Sequence, residues 1–194
     1  MNSSPLALTV LAMLNYEPQH PYGIQRRIKQ WGKDMVVNVG QRASLYRVID
    51  RMQADGLVTV RETGRDQLYP ERTVYEITEA GRERVYEWLT EMLAVPKQEF
   101  PQFPAALSNM MLLTPEETIG VLERREQAIS RSLAELESGL AEAENVPRVA
   151  VLESEYLRAM ARTEAQWLRA VIDDIRRGRL SWSLEELEAV AGPD

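Results

Sequence analysis

The 194-residue sequence contains no cysteine and a single histidine, His20. The missing thiols exclude disulfides, iron–sulfur clusters, Cys-based zinc sites and cysteine nucleophiles. One imidazole is too few for a histidine metal centre and a poor start for a nucleophile–base pair. A Gly-rich phosphate loop is also missing. These gaps point away from an enzyme and from any resident cofactor, and no metal ligands are assigned. Long apolar runs are lacking as well. The stretch from Leu6 to Leu14 is short and no basic residue precedes it, so neither a signal peptide nor a membrane span is expected. The chain reads as cytoplasmic, without a membrane partner.

Positive charge is scarce overall. There are 23 Lys and Arg against 30 Asp and Glu, a net charge of -7. The deficit is unevenly placed. Residues 1–94 carry 12 of each sign, whereas 95–194 carry 11 basic and 18 acidic residues. Residues 1–66 alone hold nine basic and six acidic residues. Local potential, not net charge, decides where a polyanion docks, so the first part of the chain remains open to nucleic acid.

Apolar periodicity predicts a buried helix from Leu6 to about Asn15 and a second from Tyr22 to Trp31, which Gly32 ends. In a third helix, Leu45, Val48, Ile49 and Met52 form one buried stripe, with Gly56 as the left-handed residue after its end. Ala43, Arg47 and Asp50 lie opposite that stripe, and Ser44, Tyr46 and Arg51 flank it. The period then changes. Residues 57–61 and 73–78 read as strands joined by a turn-rich segment with Gly64, Arg65, Asp66 and Pro70. Thr78 is an N-cap with Glu79 in the first turn. The helix after it is expected to carry Val85, Leu89, Met92 and Leu93 on one side.

Three prolines between Val95 and Pro104 mark a boundary, giving domains 1–94 and 95–194. A short helix is expected from Pro104 to Leu113. Thr114-Pro-Glu-Glu then starts a long helix with Ile119, Leu122, Ile129, Leu133, Leu136 and Leu140 at heptad-like intervals, interrupted by Glu126. Asn145 and Pro147 break it. A last long helix carries one stripe of Val149, Leu152, Tyr156, Met160, Trp167 and Val171, beside a second of Leu157, Leu168, Ile172 and Ile175. Gly178 ends it, and Ser183-Leu-Glu-Glu starts a short tail helix. The fold class is therefore mainly α: an α+β winged helix-turn-helix domain with a two-stranded wing, then an all-α domain.

Three helices followed by a hairpin is the winged-helix order, in which the third helix enters the major groove with its N-terminal half toward the bases. Gln41, Arg42, Ser44, Tyr46 and Arg47 lie at or near the start of that helix. Arg and Gln suit base edges, while Ser, Tyr and the helix N-terminus suit phosphates. Arg61, Arg65 and Arg72 lie on or beside the wing, within reach of the backbone or a minor groove. Tyr22 and Arg51 complete the candidate DNA-binding set. Tyr46 has two readings, a ring packed on the core or a hydroxyl on phosphate. The cluster Arg176-Arg177-Gly178-Arg179 reads better as a complement to the helix macrodipole than as a DNA contact. Leu133, Leu136, Leu152, Tyr156, Met160, Trp167 and Val171 are the candidate dimerisation residues. Tyr156 and Trp167 also admit a ligand-stacking reading. The same winged-helix fold also serves protein–protein modules without a DNA target, and that is the alternative function.

The chain resembles the PadR family of transcriptional regulators over nearly all its length. The resemblance rests on Leu11-Ala-Met-Leu, His20-Pro-Tyr-Gly, Ser44-Leu-Tyr, Asp55-Gly-Leu-Val and Tyr75-Glu-Ile-Thr-Glu-Ala-Gly, in that order. In the second half it rests on Leu113-Thr-Pro-Glu-Glu, Glu164-Ala-Gln-Trp-Leu and the segment from Asp174 to Trp182. Pro21 departs from the family, where Gly is usual. The resemblance implies a homodimer, double-stranded DNA with an inverted-repeat operator, and usually repression, with the protein on the nucleoid when bound. Family members often release DNA when a small, frequently aromatic molecule binds near the dimer interface. The sequence does not identify such an effector.

Overall fold

The computed structural model describes residues 3–64 and 72–183. The chain divides into two compact units, Met1–Gln98 and Glu99–Asp194. The wing-tip residues Arg65, Asp66 and Pro70, and the tail helix expected after Ser183, lie outside the described residues.

In the first unit, α1 (Pro5–Tyr16) begins at Ser4, whose hydroxyl accepts from the Ala7 amide. Helix α2 (Pro21–Gln30) ends before Gly32, which takes a left-handed φ of 66°. A 3-10 turn over Lys33–Met35 leads toward α3 (Arg42–Ala54). Leu45, Ile49 and Met52 are buried on α3, with Val48 packed at the edge of the same core. Gly56 follows at φ 69°, a conformation that L side chains rarely adopt. The core is completed by Val10, Leu11 and Leu14 of α1 and by Ile24 and Ile28 of α2.

The antiparallel pair β1 (Val58–Gly64) and β2 (Arg72–Ile77) forms the wing. Val60 pairs with Tyr75 and Glu62 with Val74, so Arg61 is the extra residue of a β-bulge. The segment after α1, expected as a plain connection, also joins this sheet. Gln19 and Tyr75 exchange two backbone hydrogen bonds of 3.0 Å, covering part of the outer edge of β2.

Helix α4 (Glu79–Ala94) starts at Thr78, whose hydroxyl accepts from the Gly81 amide and donates to the Gly56 carbonyl. Gly81 and Trp88 are buried and Val85 packs beside them, while Leu89, Met92 and Leu93 are exposed. Positions 81, 85 and 88 follow one helical line, and the large Trp88 ring claims the core.

In the second unit, the helix expected over Pro104–Leu113 is split. It becomes α5 (Gln102–Leu107) and a 3-10 turn over Met110–Leu112. Ser108 and Asn109 separate the two, and both side chains donate to the Ala105 carbonyl. Such local bonds compete with helix continuation. Helix α6 (Pro115–Glu142) opens with a complete capping box: Glu117 N–H donates to the Thr114 hydroxyl, and Thr114 N–H donates to the Glu117 carboxylate.

Helix α7 (Leu152–Arg176) packs antiparallel along α6. Val149 is not part of α7; it is exposed on the 3-10 turn Arg148–Ala150. Of the two stripes, Leu168, Ile172 and Ile175 face inward with Leu122 of α6. Glu126, the charge that interrupts the α6 seam, accepts from Arg169 at 2.7 Å and from Ser130 at 2.8 Å, so it ties the two helices together. The Trp182 indole donates to the Leu113 carbonyl at 2.8 Å and anchors the segment after α7.

Candidate nucleic-acid interface

The entry to α3 is built by α2. His20 caps α2 by accepting from the Tyr22 amide at 3.1 Å, and Pro21 takes the first helical position, where a missing N–H costs nothing. That accommodates the proline at the place where the family usually has glycine. Gln25, buried on α2, donates to the Val39 carbonyl at 2.7 Å. Asn38 then accepts from the Gly40 amide at 3.0 Å, an Asx turn one residue before Gln41. Gln41 is the N-cap residue of α3 but makes no side-chain cap bond. Ser44 N–H turns back to the Gln41 carbonyl at 3.0 Å, and the Arg42 and Ala43 amides lie at the positive end of the helix dipole without a side-chain cap.

The predicted residues gather around this end. Gln41, Arg42, Tyr46 and Arg47 are exposed and Ser44 is partly so. The Arg42 guanidinium lies 5.8 Å from the centre of the exposed Tyr22 ring, which joins α2 to the same patch. Arg47 donates weakly to the Ala43 carbonyl of its own helix at 3.3 Å, leaving its remaining donors available. Tyr46 is 43% exposed, between the two readings given for it. Burial raises the pKa of the neighbouring Tyr75 phenol above its ordinary value, and Asp50 and Tyr46 add to the shift, so Tyr75 stays neutral. Arg51 is exposed near the other end of α3.

On the wing, Arg61 is the candidate whose side chain is described. Arg61, on the bulge, lies 3.9 Å from Glu76 across the strands, a loose exposed pair. Arg72 begins β2, and Arg65 lies outside the described residues. The arginines after α7 are engaged elsewhere: Arg176 pairs with Glu123, Arg177 with Asp173, and Arg179 with both Asp173 and Asp174.

The candidate dimerisation residues divide. Leu152, Tyr156, Met160 and Trp167 share an exposed face of α7, with Tyr156 65% and Met160 55% exposed. Trp167 meets Phe103 edge to face, ring centres 6.1 Å apart. Leu136 is buried inside its own unit, Leu133 is half-buried, and Val171 packs partly on the inner core, because these three lie toward the α6–α7 seam. Among the described residues, no group of three or more His, Asp or Glu is arranged to hold a metal, and no helix is long and apolar enough to cross a membrane.

Residues 10–87 match the transcriptional regulator PadR-like family. No curated protein matches the chain by sequence. Among solved structures, Bacillus subtilis PadR in complex with operator DNA is similar, with a TM-score of 0.73 at 16% identity, covering 88% of this chain and 98% of that one. The same protein in complex with p-coumaric acid gives 0.73 at 14% identity, covering 89% and 99%. A PadR-like regulator from Bacillus cereus gives 0.63 at 13% identity, covering 90% and 97%. The match to the transcriptional regulator PadR-like family thus covers the winged-helix half of the chain, residues 10–87, and the fold over nearly nine-tenths of the chain is similar to that of PadR.

Proposed function

We propose that the protein is a homodimeric, sequence-specific DNA-binding repressor that reads an inverted-repeat operator with the N-terminal half of α3. The observation that carries this reading is the exposed cluster of Tyr22, Gln41, Arg42, Tyr46 and Arg47 around the start of α3. Arg42 and Arg47 supply donors for guanine edges or phosphates, Gln41 an amide for adenine, and Ser44 and the first-turn amides donors for phosphate. Arg51, Arg61, Arg65 and Arg72 add sequence-independent charge. The fold match to an operator-bound PadR supports the assignment.

The exposed face of α7 from Leu152 to Trp167 serves as the dimer contact. Four large apolar side chains on one helix face favour burial against a second copy. A twofold dimer places two α3 helices in half-sites about one helical turn apart or slightly more. The chain acts by binding rather than by catalysis, needs no resident cofactor, and works in the cytoplasm on the nucleoid. The solved complex of B. subtilis PadR with p-coumaric acid supports a small aromatic effector for this chain too.

Salt-titrated binding to the DNA upstream of the protein's own gene tests the function. Affinity should fall steeply as salt rises, because phosphate neutralisation releases counterions. Salt-independent binding, or none, would favour a winged-helix protein-interaction module instead.

A further inference from the structure

Arg42 is the first residue of α3, and Tyr22 is the second residue of α2. The Arg42 guanidinium lies 5.8 Å from the centre of the Tyr22 ring. Tyr22 is 54% exposed and Arg42 is exposed as well, so the contact sits on the surface and closes no core. Arg27 gives the contrast. Its guanidinium lies 5.5 Å from the centre of the Trp31 ring, but Glu17 balances its charge. Among the described residues, no carboxylate engages Arg42. Its cation is held beside a neutral ring and its charge stays uncompensated.

The backbone on both sides of this contact is fixed. His20 accepts from the Tyr22 amide at 3.1 Å, and Gln25 of α2 donates to the Val39 carbonyl at 2.7 Å, three residues before Arg42. A long arginine side chain has many rotamers. A phosphate can take its charge from most of them, whereas a guanine edge needs the planar fork in one place. A ring that restricts the guanidinium therefore favours the contact with the stricter geometry. It uses no N–H donor, so the fork remains free to bond. Arg47 differs, because its Nε is partly spent on the Ala43 carbonyl of its own helix.

We propose that Arg42 reads one guanine in each half-site through O6 and N7, and that Tyr22 is its positioning residue, acting through the ring and not through the hydroxyl. The proposal deepens the DNA-binding reading above and rests on it. It gives α2 a part in sequence choice, since a residue that touches no base sets how well its neighbour on α3 discriminates.

The test begins with selection of duplexes from a random pool by the full chain. Each guanine of the enriched operator is then replaced in turn by 7-deazaguanine, which pairs normally but lacks the N7 acceptor. The readout is the penalty, the Kd with the replacement divided by the Kd without it. Each penalty is a ratio within one protein, so partial unfolding cancels. In the native chain one guanine per half-site should carry a penalty of about tenfold. Arg42→Ala and Arg42→Lys should both remove it, because lysine keeps the charge without the fork. Tyr22→Leu should cut it by about twofold to fivefold, the worth of an exposed cation–π contact. Tyr22→Phe should preserve it, whatever the absolute affinity of that variant.

The proposal is overturned if no guanine carries a penalty, if the penalty survives Arg42→Ala or Arg42→Lys, if Tyr22→Leu leaves it whole, or if Tyr22→Phe lowers it as far as Tyr22→Leu. Any of these results on an enriched, salt-sensitive operator overturns this contact alone. A pool that enriches no sequence overturns the DNA-binding reading and this contact with it.

Discussion

The buried Gln25 amide of α2 donates to the Val39 carbonyl at 2.7 Å, and this bond sets the course of the chain three residues before α3 begins. Gln25→Leu removes the donor and leaves the carbonyl without that partner. The expected loss is about 1–3 kcal/mol in urea unfolding. Operator affinity should fall more than stability alone accounts for, because the start of α3 loses its tether. Unchanged affinity at temperatures where the variant is fully folded would show that the tether does not position the reading residues.

Arg47 stands on the exposed side of α3 with only a weak bond to its own helix. Arg47→Ala should reduce operator affinity by a factor of about ten to a hundred, the worth of one good arginine contact, with the dimer intact. Gel shift and sedimentation on the same sample separate the two effects. Full affinity in the variant would place the reading face elsewhere on the helix.

Gly81 allows α4 to press against the strand entry. A Cβ there would lie 2.1 Å from the Leu57 carbonyl oxygen and 2.6 Å from Ile77 Cγ1. Backbone cannot yield as a flexible side chain can. Gly81→Ala should therefore cost about 3 kcal/mol, the upper end of ordinary overpacking, and lower the melting temperature accordingly. An unperturbed melt would mean that α4 shifts outward freely.

Met160→Asp puts a charge into the exposed α7 face without touching the inner core. The protomer should keep its helicity while the dimer weakens, because an interfacial carboxylate must be desolvated unpaired. Trp167→Asp should do the same, with the added loss of its edge-to-face contact with Phe103. Two fully dimeric variants in sedimentation equilibrium would move the interface off this face.

The link between α6 and α7 should be acid-sensitive. The Ser130 hydroxyl and then Arg169 hold the Glu126 carboxyl below its ordinary pKa, against an opposing effect of burial. A carboxyl with a depressed folded pKa contributes stability above its unfolded pKa and loses it as pH falls through the folded value. Glu126→Gln should therefore be destabilising near neutral pH and lose its difference from the native chain below about pH 4. Thermal melts across that range show it; a gap that persists in acid would mean that packing, not ionisation, is responsible.

The elements most legible in the sequence were those whose backbone demands are local. Leu45, Ile49 and Met52 repeat at helical spacing, Gly56 supplies the left-handed turn, and Thr114 with Glu117 spells out a capping box. Tertiary competition was less visible. Leu89, Met92 and Leu93 looked as apolar as any core stripe, and only packing shows that Trp88 displaces them. Gln19 joins the sheet through one residue, too short to leave a period. On α7 both stripes are apolar, and the seam with α6 decides which faces inward. Gln25 carries the positioning argument, yet a lone polar residue on an apolar helix face looks like any other until its partner is visible.

The ion pairs between α6 and α7 have a mechanical consequence. Glu123–Arg176, Glu126–Arg169, Arg125–Glu164 and Glu137–Arg162 run along the hairpin. Sliding one helix past the other by a single turn, about 5.4 Å, would break all four together. Each exposed pair is weak alone, but the series acts as a ratchet tooth against axial slip. The α7 face offered to a second copy is thereby held at one setting, like a scale whose zero cannot drift.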